Sequence, residues 1–172
     1  MPTPYKPPHH GLAQQDAKCF RVSASMLRRL PRHGALPTVL ARRLSVNTHH
    51  QIDQSLCGTP RELRTGFAKV EMITSPVMSA DDRGLTHGGF YFGMADYAAM
   101  LAVNDPNVVL GAADSCRFLK PVKLGDTLHA TATLSGEKGK KRIVDVIIER
   151  GEETVFTGTF TCFVLEKHVL DT

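Results

Sequence analysis

Alternation of apolar and polar residues marks most of the chain after about residue 67. In "GFAKVEMIT" the polar Lys69 and Glu71 alternate with Val70 and Met72, the period of a strand with one buried face. The same period returns in "TLHATATLSG", where Leu128, Ala130, Ala132 and Leu134 alternate with His129, Thr131 and Thr133. It returns again in "RIVDVIIER", with Val144, Val146 and Ile148 set against Asp145 and Glu149. "VVLGAADSCRFLK" and "TVFTGTFTCFVL" read as two further strands, with "PVKLGD", "GEKGKK" and "GEE" as the turns between them. One stretch breaks the period. "LTHGGFYFGMADYAAMLAV", residues 85–103, is proline-free and rich in Ala, Met, Leu and Phe. It predicts a helix of about 16 residues, roughly 24 Å long, stopped by "NDPN" at 104–107. Ahead of the strands, "NTHHQIDQSLCGTP" predicts a short helix closed by Gly58 and Pro60. The expected order is a short helix, a strand, one long buried helix, then four strands joined by short loops. A single apolar helix beside so much antiparallel strand is covered only if the sheet wraps around it, an α+β architecture.

Charge divides the chain. Residues 1–50 hold eight Lys or Arg against one acid, Asp16, whereas residues 51–172 hold thirteen against sixteen, so the overall +4 belongs to the N-terminal part. That part opens on "MPTPYKPPHHGL", whose prolines deny it helix or central strand, and continues with an Arg- and Leu-rich run broken by Pro31 and Pro37. Residues 1–48 are expected to be a basic, flexible extension and 49–172 the folded domain. Three readings of the extension stand: a solvated tail, an organellar transit-like leader, and a docking or nucleic-acid segment. With the basicity in the extension, nucleic-acid binding by the folded part is not expected. No apolar run approaches the ~18–20 residues of a bilayer-spanning helix, and the N-terminus lacks the basic-then-apolar order of a secretory signal. Cys19, Cys57, Cys116 and Cys162 form no CxxC pair, so reduced thiols in a cytoplasmic protein are expected, with no metal site.

The candidate chemistry lies in the apolar helix. Between His87 and Asp105, Asp96 is the one residue ionisable near neutral pH. Its helical neighbours Phe92, Gly93, Ala99 and Met100 offer no partner for a carboxylate, and a wrapping sheet would take its water away. Two readings stand: a reactive carboxylate, or a residue facing solvent or bonding to backbone across a subunit interface. At the helix start, His87, Gly88 and Gly89 place side-chain-free positions where unpaired N–H groups and the positive end of the macrodipole can meet an oxyanion. Glycine there also suits close packing, and His87 also suits a simple cap. Eight residues separate Gly88 from Asp96, about 12 Å along a helix, too far for both to act on one carbonyl. They meet only if two such helices lie antiparallel about a two-fold axis, so an active site here implies a dimer.

"HGGFYFGMAD", "RFLKPVKLGDTL" and "VFTGTFTCFV" together resemble the hotdog-fold thioesterases, especially the phenylacetic-acid-pathway thioesterase-like branch, over roughly residues 51–168. The resemblance implies a hotdog fold and a homodimer, with a dimer of dimers left open, that hydrolyses acyl-CoA thioesters without a cofactor beyond the CoA of its substrate. By carry-over, Gly88 N–H polarises the thioester carbonyl and Asp96 of the other subunit is nucleophile or general base, with His87 beside the oxyanion site. Asp81 stands where many relatives have an Asn, and Met100 and Gly111 stand where relatives often have a hydroxyl. Gly89, Phe90, Met94 and Tyr97 are expected to bind the acyl group. Lys123, Lys138, Lys140, Lys141 and Arg142 are candidates for the CoA phosphates, or else a solvated hairpin. "RFLKPVKLG" and "VFTGTF" also resemble the hotdog domain of malonyl-CoA-responsive lipid-synthesis regulators, which makes a non-catalytic acyl-CoA-binding protein the alternative.

Overall fold

A computed structural model describes residues 44–171. Residues 1–43, and with them nearly all of the expected extension and its three readings, lie outside the described residues. The elements are α1 (Gln54–Cys57), β1 (Thr59–Arg64), β2 (Phe67–Ile73), a 3-10 turn at Pro76–Met78, α2 (Gly88–Val103), β3 (Val108–Phe118), β4 (Thr127–Lys138), β5 (Lys141–Arg150) and β6 (Glu153–Val164). The six strands form one sheet in the order β1-β2-β4-β5-β6-β3, with every neighbouring pair antiparallel.

The alternation sets the curvature. Ala68, Val70 and Met72 on β2, Leu128, Ala130 and Ala132 on β4, Val144, Val146 and Ile148 on β5, and Phe156 and Phe160 on β6 are all buried. They form one core with Met94, Ala95, Ala98 and Leu101 of α2. The alanines on helix and sheet let the backbones approach closely, and the sheet closes around the helix as the hotdog fold requires.

Two local expectations change. β1 is an addition to the expected order: Pro60, read as closing the short helix, lies in an edge strand whose register shifts between Pro60 and Glu62, the setting in which a missing N–H is tolerated. Its sequence also lacks alternation, with Leu63 its one buried residue. The β4–β5 loop is tighter than "GEKGKK" suggested, because Lys138 pairs with Lys141 and Gly139, at φ 57°, supplies the left-handed turn.

The chain is anchored from Leu44, whose N–H bonds to Leu63 O. Asn104, at φ 54°, closes α2 as a left-handed C-cap and ties down the preceding segment through Asn47 N–H to its Oδ1 (2.8 Å) and its Nδ2 to Ser45 O (2.9 Å). Residues 44–58 therefore lie against α2. The opposite margin of the sheet is bare: from Gly111 to Phe118 only Cys116 on β3 is even half-buried. No helix among the described residues is long and apolar enough to cross a membrane.

Candidate active site

The start of α2 is built around its cap. His87 is extended and its Nδ1 accepts the Gly89 N–H at 3.0 Å, which puts the ring proton on Nε2. A Cβ on Gly89 would lie 2.8 Å from that Nδ1, and one on Gly88 would lie 3.0 Å from the Phe118 ring. The two glycines thus admit the cap and a close aromatic wall. Phe90 N–H bonds to His87 O, and Gly88 N–H has no partner among the described residues. Phe118 (52% exposed) and Leu119 (46% exposed) continue the apolar surface beside it. Thr86, just ahead, is buried and its hydroxyl has no partner.

Asp81 has a structural job within the single chain. Its Oδ1 accepts the N–H groups of Arg83 and Leu85, both at 3.0 Å, so the carboxylate holds the loop that delivers His87. Had an amide stood there, its oxygen could have done the same.

Asp96 sits two turns further along α2. Asp96 is half-buried; its Oδ1 is buried and has no hydrogen-bond partner among the described residues, and burial pushes the carboxyl up to about 6. No ion pair to it forms among the described residues. Burial first, and the Asp96 charge second, raise the thiols of Cys57 on α1 and Cys162 on β6, the latter to about 12. Cys57 and Cys162 were not singled out in the sequence, where scattered cysteines signal nothing until the fold assembles them.

The expected binding residues are dispersed. Phe90 is half-buried, with its ring edge-on to His87, whereas Met94 and Tyr97 are core residues of the single chain. Lys123 lies near the helix start, since Leu85 bridges to it and the Phe118 end of β3 abuts Gly88. Lys138, Lys140, Lys141 and Arg142 lie at the other end: Val164 N–H bonds to Lys140 O, and Val164 pairs with Val108, the first residue of β3. Along eleven strand residues that separation is roughly 30 Å. Within one chain the basic residues do not converge. Arg142 is also occupied, with Nη1 donating to Gly139 O and Nη2 paired with Glu137, and Lys140 pairs with Glu166.

Comparison with known proteins agrees with this architecture. The thioesterase superfamily model matches residues 83–157, the span from the loop before α2 into β6. An uncharacterised protein of Pyrococcus horikoshii is 53% identical, with a TM-score of 0.73 over 75% of this chain and 98% of that one. The Escherichia coli PaaI protein of the phenylacetic acid degradation operon is 26% identical, with a TM-score of 0.61 over 67% of this chain and 84% of that one. A Streptococcus mutans protein bound to acetyl CoA is 26% identical, with a TM-score of 0.62 over 71% and 99%. Two curated relatives carry other names. Methylthioribose-1-phosphate isomerase of Aquifex aeolicus is 49% identical over 72% of this chain, which spans only 27% of that protein. The transcription factor FapR of Bacillus cereus is 40% identical over 46% of this chain and 41% of its own length. With an antiparallel sheet wrapped on one helix, the HGG start and the family match in agreement, the chain belongs to the hotdog-fold thioesterase superfamily.

Proposed function

We propose that the protein hydrolyses acyl-CoA thioesters at a site shared by two copies of the chain. The observation that carries this reading is Asp96: a half-buried carboxylate whose buried Oδ1 has no partner among the described residues stands where a neutral residue would fold better, and one whose proton affinity is raised is a stronger base. Gly88 N–H supplies the complementary donor but lies about 12 Å away on the same helix. An antiparallel pairing of two helices brings Gly88 of one chain to Asp96 of the other, and the exposed β3 margin with Phe118 and Leu119 supports such an interface. It also carries the partner's hairpin toward the Gly88 end, so that Lys138, Lys140, Lys141 and Arg142 would meet CoA phosphates from the partner and Lys123 from the same chain.

In this scheme the thioester carbonyl oxygen accepts the Gly88 N–H. Asp96 takes a proton from the attacking water, or attacks the carbonyl itself to give an anhydride that water opens. The carbon–sulfur bond breaks, and CoA leaves as a thiolate that takes up a proton. Phe90, half-buried at the helix start, bounds the acyl group, with the buried Met94 and Tyr97 packed behind that surface. The reaction needs no metal or separate cofactor, and free thiols at Cys57, Cys116 and Cys162 suit a reducing, cytoplasmic setting.

The test is release of free CoA from short, medium, long and aromatic acyl-CoAs by wild type and by Asp96→Asn. Turnover that collapses in the variant while ligand binding persists supports the enzyme. Binding without turnover in wild type would favour the second reading, a non-catalytic acyl-CoA-binding protein with a regulatory or partner-docking role; the match to the transcription factor FapR supports the regulatory part of it. The match to the isomerase lends no support to isomerase chemistry, since this chain spans about a quarter of that protein.

A further inference from the structure

Two loops meet ahead of α2 and are joined through their backbones. Thr86 N–H donates to Val122 O (2.8 Å) and Leu124 N–H to Gly84 O (3.0 Å), with Leu85 bridged to Lys123 between them. The first loop runs directly into His87 and Gly88. The second begins just after Phe118, whose ring walls Gly88. Val122 is fully buried, so this short ribbon belongs to the packed body of the fold. Where it sits depends on what holds the second loop to the sheet.

That hold comes chiefly from the end of β5. Arg150, its last residue, donates through Nη1 to Pro121 O (3.2 Å) and to Asp126 Oδ2 (2.6 Å), and the same Oδ2 accepts Lys123 N–H (2.9 Å). Thr74, just after β2, adds its hydroxyl to Lys123 O (2.7 Å). We infer that Arg150 is a positioning residue for the Gly88 N–H: its guanidinium sets the 119–126 loop, and the backbone of that loop sets Thr86 and the first turn of α2. Pro121 adjoins Val122, and Thr86 stands two residues before Gly88, so the path from guanidinium to N–H runs through one inter-loop hydrogen bond and a few planar peptide units. An N–H that stabilises an oxyanion works only at the right place, and a displacement of about 1 Å can cost about 10²-fold in rate. The consequence for turnover rests on the reading of Gly88 N–H as the donor to the thioester carbonyl; the consequence for the ribbon and the helix start does not.

The experiment reads amide hydrogen exchange and resonance positions by NMR in the full chain, beside the kinetics of CoA release. In Arg150→Met the amides of Thr86 and Leu124 are expected to exchange about tenfold faster relative to those of the central strand β4, and the Gly88 amide resonance to shift. The kcat for CoA release is expected to fall about tenfold or more while KM changes less than about twofold, the pattern of an interaction lost in the transition state. Arg150→Lys keeps the charge without the planar fork that serves both acceptors, and is expected to show the same effects in smaller degree; it carries the test if Arg150→Met does not fold. Arg61→Met, which breaks an ion pair of 2.6 Å to Glu71 at the β1 edge, is expected to change none of them. Unchanged exchange at Thr86 and Leu124 in a folded Arg150 variant would overturn the inference. So would faster exchange there with the Gly88 resonance and kcat both unmoved, which would leave Arg150 a fastener of the loop alone. If wild type shows no turnover, the enzyme reading fails, and exchange together with the Gly88 resonance still decides whether Arg150 sets the helix start.

Discussion

Asp96 and Asp126 are the same residue in opposite circumstances. Asp126, in the turn before β4, receives Arg150 Nη1 at 2.6 Å and Lys123 N–H at 2.9 Å. Burial alone would raise its carboxyl, but those donors more than reverse the effect and it ends below its ordinary value. Arg150 also binds Pro121 O and Glu153, so one guanidinium ties the turn to two strands. Asp96 has no such donor among the described residues, its Oδ1 is buried, and burial raises its carboxyl to about 6. The first carboxylate holds the fold together; the second is held by it. A satisfied acid is a fastener, whereas a half-buried acid whose Oδ1 has no partner among the described residues is the group that the proposed reaction uses.

The sharpest break of this contrast is functional. Replacing Asp96 with Asn is expected to lower CoA release by about 10²–10⁴-fold, the range for loss of a general base, measured at saturating acyl-CoA. The same substitution has an opposite effect on stability. Because the folded midpoint of Asp96 lies above its unfolded one, ionising it opposes folding; the penalty is absent below about pH 4, grows toward pH 6 and is full above that. Asp96→Asn is therefore expected to be more stable than wild type by about 1–3 kcal/mol at pH 8, with no difference near pH 4, in paired urea titrations.

Removing the partner of Asp126 tests the other half. Arg150→Met is expected to destabilise by about 1 kcal/mol at pH 7, a modest figure because the pair is partly solvated. A carboxylate with a lowered midpoint contributes above its unfolded value and loses that contribution in acid, so the effect should shrink as the pH falls toward 3, again by urea titration. The smallest effect concerns the helix start. His87→Ala is expected to cost about 1 kcal/mol or less through the lost cap, and His87→Asn, a good capping residue, to restore it. Turnover lost in both would show that His87 does more than cap.

Much of the architecture was legible because it follows from local pattern. The alternation in β2, β4 and β5 put the right residues inward, and the uninterrupted run from Gly88 to Val103 could only be a buried helix. β1 was hidden because Pro60 and an irregular register erase alternation on an edge. Asp96 stood out as an ionisable residue alone in an apolar helix, and the spacing from Gly88 was readable from helix rise alone. The job of Asp81 was not, because a turn that bonds two backbone N–H groups looks in sequence like any acidic loop. The separation of Lys123 from the hairpin lysines within one chain was not legible for a related reason: sequence distance says nothing about which end of a strand a turn occupies.

Residue type and period along the chain determined the elements, their inward faces and the one carboxylate without a local partner, because each depends on neighbours within a few residues. The tertiary structure alone decided that Phe118 of β3 walls the start of α2 at Gly88 and that the basic hairpin lies at the far end of the sheet from it. Those facts depend on long-range register and on the close approach permitted at Gly58 and Gly88, where the absence of a side chain matters only once another strand or ring arrives to fill the space.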